Sequence, residues 1–567
     1  MRPHLMPLTA IAVVIAAASA LLQTPGQPPR QVDLASLLPA RAALVLEAKD
    51  FSSLLSDWNA SGEKEKWLAS ANYEAFSRSR LFLRLTEAYK EFATAAGVPP
   101  DMALVSDIAG TGSALALYDI GKLEFLYITR LPSAKTMENA LWRTRGDYEP
   151  REAAGTPFYV RIDAESKRVV AFGARDGYLL LATREDLLAG ALALIAGRPS
   201  EASPSIQTEP WFAQSIKAAG APGDLRLVTN LGALVKEAHF RSYWIQENVN
   251  DLKPFTAGVS DLFRTPSEIR EERVLLRTDE QPPAAGPASA LGDITRLVPD
   301  GAGLYRAWVA PPAKDVTDLI FSKILAPRAS SSVRDRSAPR ADLSSGVTGT
   351  ESDLESRIDV EARAPRPTGY QPAALGRLIV AAPVAMLHVE ATRPGSDAVF
   401  VNRGSVIVVA QQGEWPRGAA REAIRAAVEP AWTKAHLGIR WNDVRIGTET
   451  FSQMEGLVPI AVAERGRLLF LASDPALLAS MLGAVSKAPL ALPGIYAGGF
   501  RHALERERFV RVMQFIDHAQ GENREPTFFS GNLASLSNTL SRVEAATIVV
   551  RDAGATVSQT VTYRIAR

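Results

Sequence analysis

The feature of the 567-residue sequence that most constrains its fold is a stretch that occurs twice. Residues 168–197 read RVVAFGARDGYLLLATREDLLAGALALIAG, and residues 458–485 read VPIAVAERGRLLFLASDPALLASMLGAV. In both copies two short apolar runs flank a glycine turn, at Gly177 or Gly466, and a Leu/Ala-rich segment at helical spacing follows. Each copy therefore predicts a β-hairpin that leads into a helix.

Both predicted helices have a polar residue where an N-cap is expected. In the first copy Thr183 is the predicted cap, and Asp186 three residues later approximates a capping box. In the second copy the predicted cap is Ser473 or Asp474, and Pro475 falls in the first turn, where a missing N–H is tolerated.

Further matches extend the repeat over most of the chain. The Leu-Pro pair ending at Pro39 has a counterpart in Val298-Pro299, and a predicted hairpin turn ending at Gly121 has one at residues 402–404. The separation between matched positions grows across the polar residues 329–352 and shrinks after Gly197, where the first copy has an extra loop. A duplication with loop insertions accounts for both shifts.

These patterns predict an α+β fold of two tandem homologous modules, residues 33–280 and 291–567. Each module is expected to be a mostly antiparallel sheet with helices packed on one face. A Pro/Ala linker, residues 281–290, separates them, and the length agrees because single cores usually stop growing near ~300 residues. The last strand, within residues 556–565, alternates polar and apolar side chains and needs the edge of another strand.

The segment 329–352 is rich in Ser, Arg and Asp and has almost no large apolar residue. It is predicted to be a disordered insertion, because it cannot bury enough apolar surface to offset its ordering entropy. The alternative is an Arg-rich docking arm.

The N-terminus predicts export. Residues 5–17 are apolar, and the small residues 18–20 that follow fit a signal-peptidase site, so residues 1–20 are predicted to be a signal peptide cleaved after Ala20. Residues 21–32 are then a linker, and the mature protein is periplasmic or extracellular. An uncleaved anchor reaching Leu22 is the alternative, and no later segment is long and apolar enough to span a bilayer.

Composition excludes several classes of function. The formal net charge is +1, which gives no electrostatic footprint for nucleic acid. The chain has no cysteine, so lipoprotein acylation, disulfides and thiolate chemistry are excluded. A globular protein that folds by burial of its core is expected.

Motifs for catalysis, cofactors or metals are weak throughout the sequence. No pair of histidines has metal-ligand spacing, and the six are His4, His239, His388, His436, His502 and His518. Ser61 and Lys64 match the SxxK pattern of penicillin-binding enzymes, but its companion motifs are missing. Two Gly-x-Gly turns, residues 110–112 and 301–303, lack the rest of a dinucleotide or phosphate loop.

The remaining candidates have an ordinary structural interpretation beside a functional one. Four carboxylates near the polar insertion are expected to solvate it: Asp353, Glu355, Asp359 and Glu361. Three arginines are expected on the solvent-exposed face of a helix: Arg506, Arg508 and Arg511. Three tryptophans are expected to pack in a core, with a carbohydrate or peptide groove as the alternative: Trp415, Trp432 and Trp441.

The Leu-Pro openings, the hairpin ending in residues 176–181 and the signal peptide together resemble uncharacterised exported bacterial proteins of the domain-of-unknown-function kind. The resemblance is low in specificity and brings no catalytic residues. It implies a location in the periplasm or envelope and no assigned activity.

We therefore expect a non-enzymatic exported protein that binds or scaffolds an envelope protein, with no catalytic, cofactor-binding or metal-binding residues. The alternatives are a hydrolase of unfamiliar type acting on cell-wall material and a carrier of an apolar ligand. An enzyme should bring titratable groups together in one concave pocket, and a carrier should enclose a large apolar cavity. A partner-binding protein should expose apolar side chains.

Overall fold

The structure is a computed structural model of an α+β protein built around antiparallel strands. It describes residues 33–69, 73, 77–78, 80–198, 204–243, 249, 252–282, 286–287, 289–325, 369–379, 383–394, 401–434, 439–455, 459–505 and 542–566. The predicted signal peptide and linker, residues 1–32, and the polar insertion, residues 329–352, lie outside these ranges. Within them, no helix has the length and apolar character that a membrane crossing requires.

The described residues form ten strands in each half of the chain. In the first half they are β1 Leu44–Asp50, β2 Thr111–Asp119, β3 Glu124–Arg130, β4 Glu149–Ala153, β5 Thr156–Ile162, β6 Val169–Arg175, β7 Tyr178–Ala182, β8 Leu225–Thr229, β9 Phe255–Thr265 and β10 Glu268–Arg277. In the second half they are β11 Leu304–Val309, β12 Ala385–Pro394, β13 Val401–Ala410, β14 Arg440–Ile446, β15 Glu449–Glu455, β16 Ile460–Arg465, β17 Leu468–Ala472, β18 Tyr496–Phe500, β19 Val543–Asp552 and β20 Thr556–Ile565.

Most of the helices are short, and two are longer, with 17 and 16 residues: Arg80–Ala96 and Ala419–Lys434. In the first half they are α1 Phe51–Ala60, α2 Gly62–Leu68, α3 Arg80–Ala96, α4 Met102–Ile108, α5 Ser133–Glu138, α6 Ala140–Arg143, α7 Glu185–Ile195, α8 Pro210–Ala218, α9 Leu231–Leu234 and α10 Ala238–Tyr243. In the second half they are α11 Ala290–Thr295, α12 Ala313–Ile320, α13 Ala373–Gly376, α14 Ala419–Lys434 and α15 Pro475–Leu482, and a π-helical turn, Phe321–Leu325, follows α12.

The described strands all join in one antiparallel sheet. The order in the first half is β4-β5-β6-β7-β3-β2-β1-β8-β9-β10. The order in the second half is β14-β15-β16-β17-β13-β12-β11-β18-β19-β20. The two orders are the same when each strand number of the first half is raised by ten.

The two halves meet where β10 pairs with β20. This pairing supplies the edge that the alternating final strand was predicted to need. Strand β10 begins at Glu268 and β20 begins at Thr556, so Glu272 and Thr560 are each the fifth residue of their strand, and they lie opposite each other. One position therefore pairs with its own counterpart, as it does about a twofold axis normal to the sheet.

Helices cover both faces of the sheet, so the prediction of helices on one face was wrong. On one face α7 and α15 pack on alternate strand residues such as Ala171 and Phe470. On the other face α3, α4 and α6 cover the first half, and α12, α13 and α14 cover the second. Strand β7 shows the physical reason for coverage of both faces. All five of its residues are buried, and a continuous apolar run is typical of a strand that is covered on both sides.

The repeated hairpin and helix form as predicted, with a different cap in the first copy. The Thr183 hydroxyl accepts a hydrogen bond from the Phe125 backbone N–H at 2.8 Å, which ties it to β3, and Arg184 is the N-cap without a side-chain bond. In the second copy Asp474 accepts from the N–H groups of Ala476 and Leu477, both at 2.9 Å. The predicted cap at Thr183 was therefore wrong, and Asp474 was the correct one of two alternatives.

The predicted hairpin turn at residues 402–404 was also wrong. These residues continue β13, which pairs with β12, and the connection between the two strands spans residues 395–400, outside the described ranges. Gly404 pairs with Ala391 in the strand, and its lack of a side chain leaves room for Asp474, because a Cβ there would come within 2.5 Å of the Asp474 side chain. This glycine permits close packing within a strand and not a turn.

Candidate functional site

The SxxK motif is a helix cap in the structure. The Ser61 hydroxyl accepts a hydrogen bond from the Lys64 backbone N–H at 3.2 Å, and the Lys64 Nζ donates to Asn59 Oδ1 at 2.6 Å. The ammonium group is therefore bonded to Asn59, and the serine hydroxyl is bonded to the backbone of the helix. This arrangement favours the structural interpretation of the motif.

The three tryptophans pack in or against the core of the second half. Trp415 and Trp432 are buried, and Trp441 packs partly buried against the same cluster. The indole N–H of Trp415 donates to the Arg467 carbonyl at 3.0 Å, and that of Trp432 donates to the Tyr370 hydroxyl at 3.2 Å. Their polar atoms are used within the fold, which favours packing over an open groove.

Several sequence candidates lie outside the described residues: His4, His436, His518, Asp353, Glu355, Asp359, Glu361, Arg506, Arg508 and Arg511. The two Gly-x-Gly turns are sites of close packing. A Cβ at Gly110 would come within 2.1 Å of the Arg130 carbonyl, and one at Gly303 within 1.8 Å of the Glu505 carboxylate. Of the described histidines, His239 contacts Gly121 and His502 packs edge-on against Phe500.

His388 belongs to a buried charged cluster that the sequence did not reveal. Glu390 and His388 lie two residues apart on β12 and are 3% and 1% exposed. The Lys323 Nζ, on the π-helical turn, lies 3.0 Å from Glu390 Oε1, and His388 Nε2 lies 3.2 Å from the same oxygen. Lys323 is distant from both in sequence, so no local spacing could have predicted the cluster.

The cluster combines a buried carboxylate and a buried imidazole with a lysine ammonium. Burial opposes ionisation of Glu390, but the attraction of Lys323 and His388 outweighs it and lowers the pKa of the carboxyl. Burial also lowers the pKa of His388, although Glu390 opposes that shift. The lowered pKa of Glu390 favours its carboxylate form, and the lowered pKa of His388 favours its neutral form.

A buried serine lies beside this cluster. Ser405 on β13 is opposite Glu390 in the strand register and is buried. The backbone N–H of Ser405 donates to the Ser473 hydroxyl at 3.0 Å. Among the described atoms, no hydrogen bond joins the Ser405 hydroxyl to Lys323 or Glu390, so the elements of a nucleophilic site are near one another but not linked.

A second buried polar group lies where the halves meet. The Arg273 Nη2 lies 2.7 Å from Glu271 Oε1, and the Ser260 hydroxyl donates to the same oxygen at 2.5 Å. Arg273 also donates to Gln559 Oε1 on β20 at 3.2 Å. Beside them is a small cavity of about 10 Å³, lined by Leu227, Thr229, Gly258, Val259, Ser260, Arg273 and Leu275.

Exposed apolar side chains are concentrated on helices of the first half. Leu83, Leu85 and Tyr89 lie on α3, Met102 begins α4 and Met137 lies on α5. Leu83 is 60% exposed and Met137 is 57% exposed. We call these five exposed residues together the helical apolar surface, although on α3 Leu85 and Tyr89 share one side and Leu83 lies on another, since residues of a helix are about 100° apart. The two methionines suit contact with a partner because their flexible side chains adapt to different surfaces.

An ion-pair network holds α3 against the sheet. Arg84 donates from Nε to the Gly121 carbonyl at 3.2 Å, in the β2–β3 turn, and its Nη1 lies 3.4 Å from Glu91. Glu91 is also bonded to Arg168, which precedes β6. Burial opposes ionisation of Glu91, but Arg168 and Arg84 outweigh it and lower the pKa of this carboxyl. The helix that carries three of the apolar residues is thus fixed in place.

Comparison with known proteins identifies no family. No family model matches the chain, and no curated protein matches it, which agrees with the low-specificity resemblance seen in the sequence. Among solved structures, three crystal forms of a protein titled TP0453 are similar at a TM-score of 0.24. Form I is 15% identical and covers 44% of this chain and 79% of that chain. Form III is 12% identical and covers 49% and 90%, and form IV is 12% identical and covers 43% and 81%. At this TM-score the likeness supports no conclusion about fold or function.

Proposed function

We propose that the chain is an exported, non-enzymatic protein of two duplicated α+β modules that binds an envelope protein. The observation that carries this proposal is the helical apolar surface. Five large apolar side chains stand exposed on α3, α4 and α5, and α3 is held by the Arg84–Glu91–Arg168 network. An apolar surface on a fixed scaffold loses little freedom when a partner binds, which favours association.

Duplication is supported by strand register as well as by strand order. Leu44, the first residue of β1, pairs with Leu117 and Thr229 on its two sides. Leu304, the first residue of β11, pairs with Glu390 and Phe500 on the corresponding strands. Two modules of one design, joined at β10 and β20, provide one continuous platform.

The buried groups fit a structural role better than catalysis or transport. With His388 and Glu390 almost fully enclosed, a substrate has no contact with the titratable atoms of that cluster. The cavity of about 10 Å³ is far smaller than the ~300 Å³ or more of typical small-molecule sites, and Ser260 and Arg273 make part of its wall polar. Neither feature matches what an enzyme or an apolar carrier requires.

The proposal is tested by affinity capture from the organism's own envelope extract. The bait is the full chain, compared with a double variant, Leu83→Glu and Tyr89→Glu, that charges the helical apolar surface. A stoichiometric companion should be captured by the unaltered chain and lost with the double variant, and the purified companion should show the same difference in titration calorimetry.

Ile162→Glu is the matched control, because Ile162 is also an exposed apolar residue, 58% accessible, but ends β5 on the strand face of Phe158 and Val160, which pack with α7 and not with α3. This variant should capture the companion as well as the unaltered chain does. A companion that binds all three proteins equally would overturn the assignment of this surface. A monomer that turns over cell-wall fragments would overturn the proposal itself.

A hydrolase is the second candidate, and one observation favours it. Ser405 is buried opposite Glu390, whose carboxylate lies 3.0 Å from the Lys323 ammonium. If these groups act together, Ser405→Ala and Lys323→Ala should each abolish hydrolysis of peptidoglycan fragments, whereas Ser452→Ala on β15 should not. Equal activity in the three variants would exclude this site.

A further inference from the structure

The two ends of the sheet are hairpins in corresponding positions, β4–β5 and β14–β15. Strand β4 ends at Ala153 opposite Thr156, and β14 ends at Ile446 opposite Glu449, so each hairpin has a two-residue turn. Residues that flank such a turn bond to the partner strand, and bonding alternates along the strand. The peptide groups of residues 150 and 152 on β4, and of 441, 443 and 445 on β14, therefore face outward.

One of these edges is blocked and the other is not. The residue three before the end of β4 is Pro150, which has no N–H to offer, and the corresponding residue of β14 is Asp443. An outward-facing proline is a common protection of an edge strand against pairing. Among the described residues, no strand pairs with the outer edge of β14, and that edge keeps its N–H donor at Asp443.

The charges on β14 complement those of a second copy. Asp443 and Arg445 are both exposed and point to the same face of the sheet, since they are two residues apart. If β14 pairs antiparallel with itself about Val444, each Asp443 lies opposite the Arg445 of the other copy. A register about Asp443 would instead place the two aspartates opposite each other, which is destabilising.

We infer that β14 pairs with β14 of a second copy of this chain, in the register centred on Val444, and joins two sheets into one. The twofold axis places each copy's Asp443 carboxylate beside the other's Arg445 guanidinium, and the two Val444 side chains face each other. Such an isologous contact closes on itself, so it produces a dimer and not a filament. The interface is separate from the helical apolar surface, so either proposal can fail without the other.

The absence of cysteine in the chain provides a direct test of the register. Val444→Cys should form a disulfide-linked dimer under mild oxidation, because residue 444 lies opposite itself. Arg151→Cys is the matched control, since Arg151 holds the corresponding position on the edge that carries Pro150. Cross-linking of both variants at the same rate would overturn the inference.

Charge exchange gives a test that does not depend on cross-linking. Asp443→Arg and Arg445→Asp should each weaken self-association in analytical ultracentrifugation, because like charges then face each other. A one-to-one mixture should form heterodimers, because position 443 of each variant then faces a residue of opposite charge at position 445 of the other. Two variants that stay dissociated when mixed would contradict the proposed register.

Asp443→Pro gives β14 a proline at the position that Pro150 holds on β4. Strand β4 forms with that proline, so β14 should form with it as well. Loss of the two symmetry-related N–H donors should raise the dimer dissociation constant about 10- to 100-fold, with the circular dichroism spectrum unchanged. An unaltered chain that remains monomeric up to ~100 µM would overturn the inference and leave this edge for a strand of a different protein.

Discussion

Glu47 is a residue whose surroundings set a measurable pH dependence. It lies on β1, in the register between Ala114 and Arg226. Burial, aided by repulsion from Asp33 and opposed by Arg226, raises the pKa of its carboxyl from 4.5 to about 7. Between these values the unfolded chain releases a proton that the folded chain keeps, so stability falls as pH rises through this window.

Glu47→Gln should remove that loss. Relative to the unaltered chain, the variant is expected to gain up to about 3 kcal/mol in free energy of unfolding on going from pH 4.5 to pH 8, as a shift of about 2.5 pH units implies. Urea unfolding at both pH values measures the difference. Glu272→Gln, which lies on the same sheet and is paired with Arg270, is the control and should show no comparable gain.

The buried charged cluster of the second half, Lys323, His388 and Glu390, affects the stability of the fold. Lys323→Met should destabilise the protein by about 3 to 5 kcal/mol, because it leaves the Glu390 carboxylate buried without its cation. The first half has Leu117 opposite Leu44 where the second half has Glu390 opposite Leu304, so the fold accepts an apolar residue in this register.

The variant with Lys323→Met, His388→Leu and Glu390→Leu should therefore recover most of that loss, as measured by urea denaturation. If the triple variant is as unstable as Lys323→Met alone, the cost does not arise from an uncompensated charge. Sequence reasoning could not anticipate this cluster, because its members come from a helical turn and a strand that only the tertiary fold brings together.

Strands β8 and β9 are held by a buried ion pair that their counterparts lack. Arg226 Nε donates to Asp261 Oδ1 at 2.7 Å, and its Nη2 donates to Asp261 Oδ2 at 2.8 Å. On β18 and β19 the register places Ala497 opposite Val549 in these positions. The same pair of strands is thus stabilised once by a bidentate ion pair and once by apolar packing.

Asp261→Val alone should lower the free energy of unfolding by about 3 to 5 kcal/mol, since it leaves the buried Arg226 guanidinium without its carboxylate. Adding Arg226→Ala should return part of the loss, so the coupling energy in a double-mutant cycle should exceed about 1 kcal/mol. Additive effects of the two changes in chemical denaturation would show that the bidentate contact is not formed.

The elements that could be predicted from the sequence are those whose signals are local. The hairpin of β6 and β7 was predicted from two apolar runs around Gly177, and its helix from leucine spacing. The connection from β12 to β13 was misplaced, because Gly404 serves contact with Asp474 and not a turn. The role of a glycine depends on its neighbours in the folded structure, and the residues adjacent to it in the sequence do not identify those neighbours.

Across the whole molecule, the repeat predicted more than any motif did. It predicted antiparallel strands with helices in both halves, but not that helices would cover both faces, nor that β10 and β20 would merge the two sheets. The helical apolar surface was also unpredicted, because exposure of Leu83 or Met137 depends on how helices pack and not on their own sequence. Sites built from distant segments therefore have to be found in the structure.

The two halves of the chain form one sheet through β10 and β20, with Glu272 opposite its own counterpart Thr560. Because the chain has no cysteine, the variant with Glu272→Cys and Thr560→Cys tests this contact by oxidative cross-linking within a single chain. Facing residues of paired strands have Cβ atoms about 4.5 to 5.5 Å apart, within about 1 Å of the Cβ separation found in disulfides. We expect rapid intrachain cross-linking for this pair and none for Glu272→Cys with Thr556→Cys, because Thr556 lies at the far start of β20, opposite Leu276. Equal cross-linking of both pairs, or of neither, would contradict the claim.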